Sequence, residues 1–302
     1  MIIAVFPGQG AQTPGFLTPW LALPDARERL SAYSEWAGVD LLAAGTEWDA
    51  DRIRDTRVAQ PLIVAASLLS WRALEDRDAI AGVAGHSVGE FAAAAAAGIL
   101  TDEDALRLVG IRGRAMAEAA AAEPSGMSAV LGGDAEAVLT RLAELGLTPA
   151  NHNGGGQIVA AGAAEALTAL SADPPARTRV IPLQVAGAFH TVFMAPAVEA
   201  LRTAASEVRP ADPERRIWTN RDGSEVTSGV EFMQTLVSQV ASPVRWDLCM
   251  AAFSDAGVSG LIEFSPAGTL TGLAKRALRG VPSVAVTSPE DLPAAADLAR
   301  GA

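Results

Sequence analysis

Apolar and polar positions alternate along the chain so that short buried runs punctuate longer amphipathic stretches. Residues 2–6 form an apolar run ended by Pro7-Gly8, which predicts a short buried strand. Residues 58–75 and 102–121 read as helices. Between them, residues 79–84 predict a second apolar strand. It runs into Gly85-His86-Ser87-Val88-Gly89 and then into an alanine-rich helix. From about 124 to 188 the rhythm changes. Residues 127–131, 147–150, 157–161 and 179–183 read as strands, and 135–145 and 163–171 as helices. That β-α-β-β-α-β order is a split βαβ pattern and suits a small inserted subdomain. Helices then follow near 193–207, 229–239, 246–256 and 268–278, with strands near 216–219, 259–264 and 283–286. The expected fold class is α/β. Residues 1–123 and 189–302 form a discontinuous large subdomain, and 124–188 the small one. The final alanine-rich, acidic segment predicts a surface helix or a frayed tail.

Composition narrows the classes. The 302 residues suit one large domain plus one small one, and half of them are hydrophobic, enough for a sizeable core. Cys249 is the single cysteine, which excludes an intrachain disulfide and fits a reducing cytoplasm. The apolar start has no basic segment before it and is too short for an export-signal core. The longest apolar run, Phe91 to Leu100, falls short of the roughly 20 residues of a membrane span. The net charge of −12 argues against nucleic-acid binding and would repel an acidic partner at long range. Such a partner needs a local basic patch. The densest is Lys275, Arg276 and Arg279, which also reads as a solvated helix end with cations near its C-terminus.

The chemistry centres on Gly85-x-Ser87-x-Gly89, a match to the nucleophile elbow. A sharp strand-to-helix turn lifts the serine hydroxyl above the sheet, and the flanking glycines prevent clashes. The helix that follows aims free N–H groups at the site, Val88 N–H among them, where an oxyanion would form. A serine hydroxyl needs a base. Among His86, His152 and His190, His86 is adjacent to the serine and suits a wall of the site. His152 lies inside the small subdomain. His190 follows Gly187-Ala188-Phe189 where the chain returns to the large subdomain, and it is the favoured base. Its orienting acceptor is either an acid beyond it or a carbonyl.

These residues resemble a known family, the malonyl-CoA:acyl carrier protein transacylases. Pro7-Gly8-Gln9-Gly10-Ala11-Gln12 is similar to the family's GQGxQ signature, and Gly85 to Glu90 to its GHSxGE. Arg112 in Ile111-Arg112-Gly113 matches the carboxylate-binding arginine. Gly187-Ala188-Phe189-His190 matches the histidine motif. Gln239 matches the position whose carbonyl orients that histidine, and Gly268 to Leu273 matches a late segment. The resemblance covers nearly the whole chain. Alanine- and arginine-rich usage, with Lys275 the only lysine, suggests a bacterial, actinobacterial-type source.

The resemblance implies an α/β-hydrolase-like large subdomain, a ferredoxin-like small one, and an active site between them without metal or cofactor. Ser87 would be the nucleophile and His190 the base. Gln9 and Val88 would supply oxyanion donors, and Arg112 would anchor the malonyl carboxylate. On spacing alone Arg112 reads as a solvated helix position beside Arg107 and Arg114. His86, Asn151, Asn153, Phe189 and Met194 would line the substrate side, with Phe189 filling the volume an α-methyl needs. The chain departs from the family pattern at Thr191-Val192-Phe193-Met194, which places Phe193 at the cleft edge. The implied reaction moves malonyl from malonyl-CoA to the phosphopantetheine thiol of acyl carrier protein, in fatty acid or polyketide synthesis, by a cytoplasmic monomer. Two other classes remain: a serine acyl hydrolase or thioesterase, and an idle carrier-protein-binding subunit.

Overall fold

The computed structural model describes residues 1–301. Among them are nine strands: β1 (Ile2–Phe6), β2 (Gly82–Gly85), β3 (Ser125–Gly132), β4 (Thr148–Gly154), β5 (Gln157–Ala163), β6 (Thr178–Pro182), β7 (Arg216–Trp218), β8 (Gly260–Glu263) and β9 (Ser283–Ala285). They form two separate sheets. One is parallel, ordered β7-β2-β1-β8-β9, and the other antiparallel, ordered β4-β5-β3-β6.

The parallel sheet is covered on both faces, so β2 and β8 are buried throughout and are apolar apart from Glu263 at the end of β8. The helix Gly89–Ala96 rises directly from the turn after β2. All eight of its residues are buried, which its small alanine side chains permit between the sheet and the helices Thr56–Ala73 and Asp102–Ala120. Asp55 and Thr101 cap those two helices by accepting N–H bonds from Arg57 and Asp104. Three shorter helices, Ala26–Ala37, Leu41–Thr46 and Ala50–Arg54, fill the segment for which the hydrophobic pattern gave no assignment. The last segment is helical over Leu292–Arg300, with Ala295 and Ala299 buried.

The antiparallel sheet has its own small core. Val130, Leu147 and Ala160 pack there beneath Val138 and Leu142 of one helix and Leu167 and Leu170 of another. Its β4 edge is joined to the rest of the molecule by backbone bonds. Val244 N–H donates to Ala150 O at 2.8 Å, and His152 N–H donates to Val244 O at 2.9 Å. No described helix is long and apolar enough to cross a membrane.

Candidate active site

In parallel sheets, ligands sit beyond the carboxyl ends of the strands. β1 and β2 are neighbours in register, Phe6 opposite Gly85, so the segments that leave them emerge side by side. β1 delivers Gly8 and Gln9, and β2 delivers His86, Ser87 and Val88. Ser87 has φ of 53°, a left-handed conformation that costs about 1–3 kcal/mol for a side chain with a Cβ. The glycines on either side are sterically required. A Cβ on Gly85 would overlap the backbone of Gly89 and Glu90, and one on Gly89 would overlap the carbonyl of Phe6. The helix can therefore press onto the sheet only with glycine at both places.

His190 also has positive φ, 61°. Its turn is held by Thr191, whose hydroxyl donates to Ala188 O at 2.6 Å, and by Ser125, whose hydroxyl accepts from Ala188 N–H at 3.2 Å. The imidazole Nε2 lies 2.8 Å from Ser87 Oγ, and Nδ1 lies 2.9 Å from Gln239 O. A carbonyl only accepts, so Nδ1 carries the proton and Nε2 presents its lone pair to the serine hydroxyl. The orienting acceptor left open by the sequence is thus a carbonyl. Burial, and after it the nearby Arg112 charge, pushes His190 down to about 3. The ring is neutral across the ordinary pH range, with the Nε2 lone pair free to meet the serine hydroxyl.

Arg112 is only 1% exposed, so its reading as a solvated helix position does not hold. The face of Asp102–Ala120 that carries it packs inward against Thr56–Ala73. Its Nη1 donates to Gln60 Oε1 at 2.6 Å, and its Nη2 reaches Gln239 Oε1 and Ser87 Oγ, each at 3.4 Å. Nε has no partner. Desolvation pushes the guanidinium down to about 10, where it is still protonated at neutral pH. Buried Glu90 is pushed up to about 8 by the same loss of water. The result is a fixed positive charge without a paired carboxylate, held by two amide oxygens beside the nucleophile.

These groups line one cleft of about 220 Å³ between the two sheets, shared by Gln9, Gln60, His86, Ser87, Val88, Arg112, Asn151, Asn153, Phe189 and His190. His86 Nε2 donates to Asn153 Oδ1 at 2.9 Å, so that pair ties the elbow to β4. Two expected residues stand elsewhere. Met194 is fully buried in the main core, because the short helical turn Val192–Met194 points it inward, away from substrate. Phe193 packs against that core as well and does not shape the cleft. Lys275, Arg276 and Arg279 are exposed at the far end of a helix, Thr269–Ala277, whose Thr269, Leu270 and Leu273 line the cleft. Arg276 lies against Gly155 in the β4–β5 turn.

Sequence reasoning missed Gln60 and Asn220. Gln60 carried a signal, as a polar residue at the start of the apolar face of Thr56–Ala73. Asn220 did not, because Thr219-Asn220-Arg221-Asp222-Gly223 reads as an ordinary turn.

Comparison with known proteins gives the family. The family model described as "Acyl transferase domain" matches residues 3–292. The malonyl CoA-acyl carrier protein transacylase of Mycobacterium tuberculosis is 54% identical over 302 residues, covering 99% of this chain and 100% of the relative. A crystal structure of MCAT from the same organism superposes with a TM-score of 0.95 at 53% identity, over 98% of this chain and 100% of that one. A type II PKS acyl-carrier protein in complex with its malonyl-transacylase gives a TM-score of 0.91 at 31% identity, over 98% and 99%. With an elbow serine, a carbonyl-oriented histidine and a family match over nearly its full length, the chain belongs to the acyl transferase family.

Proposed function

We propose that this enzyme moves a malonyl group from malonyl-CoA to the phosphopantetheine thiol of an acyl carrier protein through a malonyl ester on Ser87. One observation carries the reading: Ser87 Oγ lies 2.8 Å from a neutral histidine and 3.4 Å from a buried arginine. The histidine activates the hydroxyl, and the arginine selects an acyl group that ends in a carboxylate.

Ser87 Oγ attacks the thioester carbonyl while its proton passes to His190 Nε2. The oxyanion sits against the N–H groups of Gln9 and Val88, each such donor being worth about 3 kcal/mol. The C–S bond breaks, and His190 returns the proton to the departing CoA sulfur. The carrier-protein thiol then gives its proton to His190 and attacks the ester. The C–O bond breaks and Ser87 Oγ recovers the proton. Gln239 O keeps the imidazole in the required tautomer throughout. Arg112 takes the malonyl carboxylate as a two-pronged partner, while Gln60 and Gln239 hold the guanidinium plane. An acetyl group leaves that charge without its counter-ion.

The same reading makes the molecule a cytoplasmic monomer of fatty acid or polyketide synthesis, of actinobacterial type. It binds neither nucleic acid nor membrane and requires no metal or cofactor. Residues 1–123 and 189–302 form an α/β-hydrolase-like subdomain, and 124–188 a ferredoxin-like one. Lys275, Arg276 and Arg279 offset the net charge where an acidic carrier protein approaches. Intact-mass measurement after malonyl-CoA treatment tests the central step. One malonyl adduct is expected, absent from Ser87→Ala and discharged by holo carrier protein. CoA release that continues without an acceptor would make the protein a hydrolase, and neither adduct nor release would make it a binding subunit.

A further inference from the structure

Asn220 is fully buried just beyond the carboxyl end of β7, next to the elbow. Its polar atoms are committed to the catalytic apparatus. Oδ1 accepts from Ser87 N–H at 2.7 Å and from Gln239 Nε2 at 3.3 Å. Nδ2 donates to Gly85 O at 2.7 Å. The backbone N–H donates to Glu90 Oε1 at 2.8 Å, and the backbone carbonyl accepts from Arg245 N–H at 2.8 Å.

We propose that Asn220 is the positioning residue of the nucleophile, holding Ser87 in its left-handed conformation and fixing it at constant distance from the histidine-orienting segment at Gln239. The inference rests on the acyl-serine reading above and adds a residue to it. The amide brackets His86, taking the carbonyl before it and the N–H after it, as a neighbouring strand would. That two-point grip opposes relaxation of the strained φ at Ser87. It also occupies Ser87 N–H, which leaves the oxyanion to Val88 and Gln9. The third bond reaches Gln239, whose carbonyl orients His190 and whose side-chain oxygen meets Arg112. A displaced Asn220 therefore shifts nucleophile and base relative to each other without touching the acyl group.

Aspartate is the informative replacement. A protonated Asp keeps one acceptor and one donor, enough for Ser87 N–H and Gly85 O though not for the amide's second, weaker bond to Cys249 Sγ. An ionised one loses the donor to Gly85 O as well. The ionisable and charged groups around this position are Glu90 and Cys249, which contact Asn220 directly, His86 between the two bonds of the amide, Arg245 at the backbone carbonyl, Asp247 and Asp222 near Cys249, and His190 and Arg112 beyond Gln239. In single-turnover loading from malonyl-CoA, Asn220→Ala should lower the maximal rate about a hundredfold and leave half-saturation within about twofold. Asn220→Asp should gain a limb that falls with rising pH, present in neither the parent nor Asn220→Ala. A parent-like rate in Asn220→Ala, a loss confined to half-saturation, or a parent-like profile in Asn220→Asp would overturn the proposal. Should both variants fail to fold, amide exchange in the unaltered protein decides: a protected Ser87 N–H supports the clamp, and a rapidly exchanging one overturns it. Loading of the unaltered enzyme, run alongside, tests the acyl-serine reading separately.

Discussion

The two sheets face the same cleft but contribute to it differently. In the proposed mechanism, the parallel sheet and its helices supply every group that moves a proton or meets developing charge: Ser87, Val88, Gln9 and Arg112, with His190 and Gln239 on returning segments. The antiparallel sheet supplies a wall, with Asn151 and Asn153 on β4, Ala129 on β3 and Val159 on β5. Ser87 and His190, the two that exchange a proton, sit at strained turns of positive φ. The wall positions sit on strands, irregular along β4 and regular along β3 and β5, where a side chain can change with less effect on its neighbours. Chemistry is therefore fixed by one sheet and substrate shape adjusted by the other, and each variant below tests that division.

The largest effect belongs to Arg112. Arg112→Ala leaves a malonyl carboxylate desolvated without a partner, and malonyl transfer should fall about a hundredfold or more, since roughly 1.4 kcal/mol is tenfold. Acetyl transfer should fall much less, because acetyl has no carboxylate to strand. The ratio of the two rates is the measurement, with circular dichroism confirming the fold. An equal loss of both would assign Arg112 to structure.

Two glycines, one at the start of the elbow helix and one in the antiparallel sheet, sharpen the contrast in backbone tolerance. A Cβ at Gly89 overlaps Phe6 O, whereas one at Gly126 in β3 meets only the end of Leu167, at 3.4 Å. Gly89→Ala should lower Tm by about 10 °C or more, and Gly126→Ala by no more than about 3 °C. Similar melting of the two would mean that the elbow is no tighter than the wall.

On the wall itself, Asn153→Ala removes the acceptor of His86 and a donor to Gln157. Half-saturating malonyl-CoA should rise about three- to tenfold with the maximal loading rate nearly unchanged. A loss expressed wholly in the maximal rate would move Asn153 from the wall into the machinery.

Much of this was legible in the sequence because local sterics wrote it there. Gly85-x-Ser87-x-Gly89 between an apolar strand and an alanine-rich helix specifies the turn within five residues, and the split βαβ rhythm of 124–188 appears as the β4-β5-β3-β6 sheet. Arg112 was ambiguous because a helix position reveals its environment only when the packing partner is known. Asn220 lies 133 residues from the serine it grips, and no spacing rule connects them. Met194 was misplaced because a single helical turn decides whether a side chain faces the cleft or the core.

The smallest effect concerns pH. His190 is held down to about 3 in the fold, against 6.5 for an ordinary imidazole in the unfolded chain. Between these values the unfolded state binds the extra proton, so stability falls as pH drops below 6.5. Glu90 works in the opposite sense. Raised to about 8 from 4.5, it contributes fully below the lower value and loses that contribution as pH rises through the upper one. His190→Gln removes only the first window. It should lose less Tm than the parent between about pH 7 and pH 5. Parallel melting curves would show that the buried imidazole does not drive the acid response.

The bonds between Val244 and β4 bear on how this enzyme can be re-engineered. Ala150 and His152 are laced to a segment only five residues beyond Gln239, so the wall and the histidine-orienting carbonyl share a seam. A chimera that exchanges residues 124–188 with those of a relative, to import a new acyl preference, would join a foreign β4 edge to a resident 239–245 segment. Any mismatch at that seam would be felt as a misaligned base, and the graft would be judged inactive when only its border was wrong. The natural unit of exchange is the small sheet together with the strip of chain from Gln239 to Arg245.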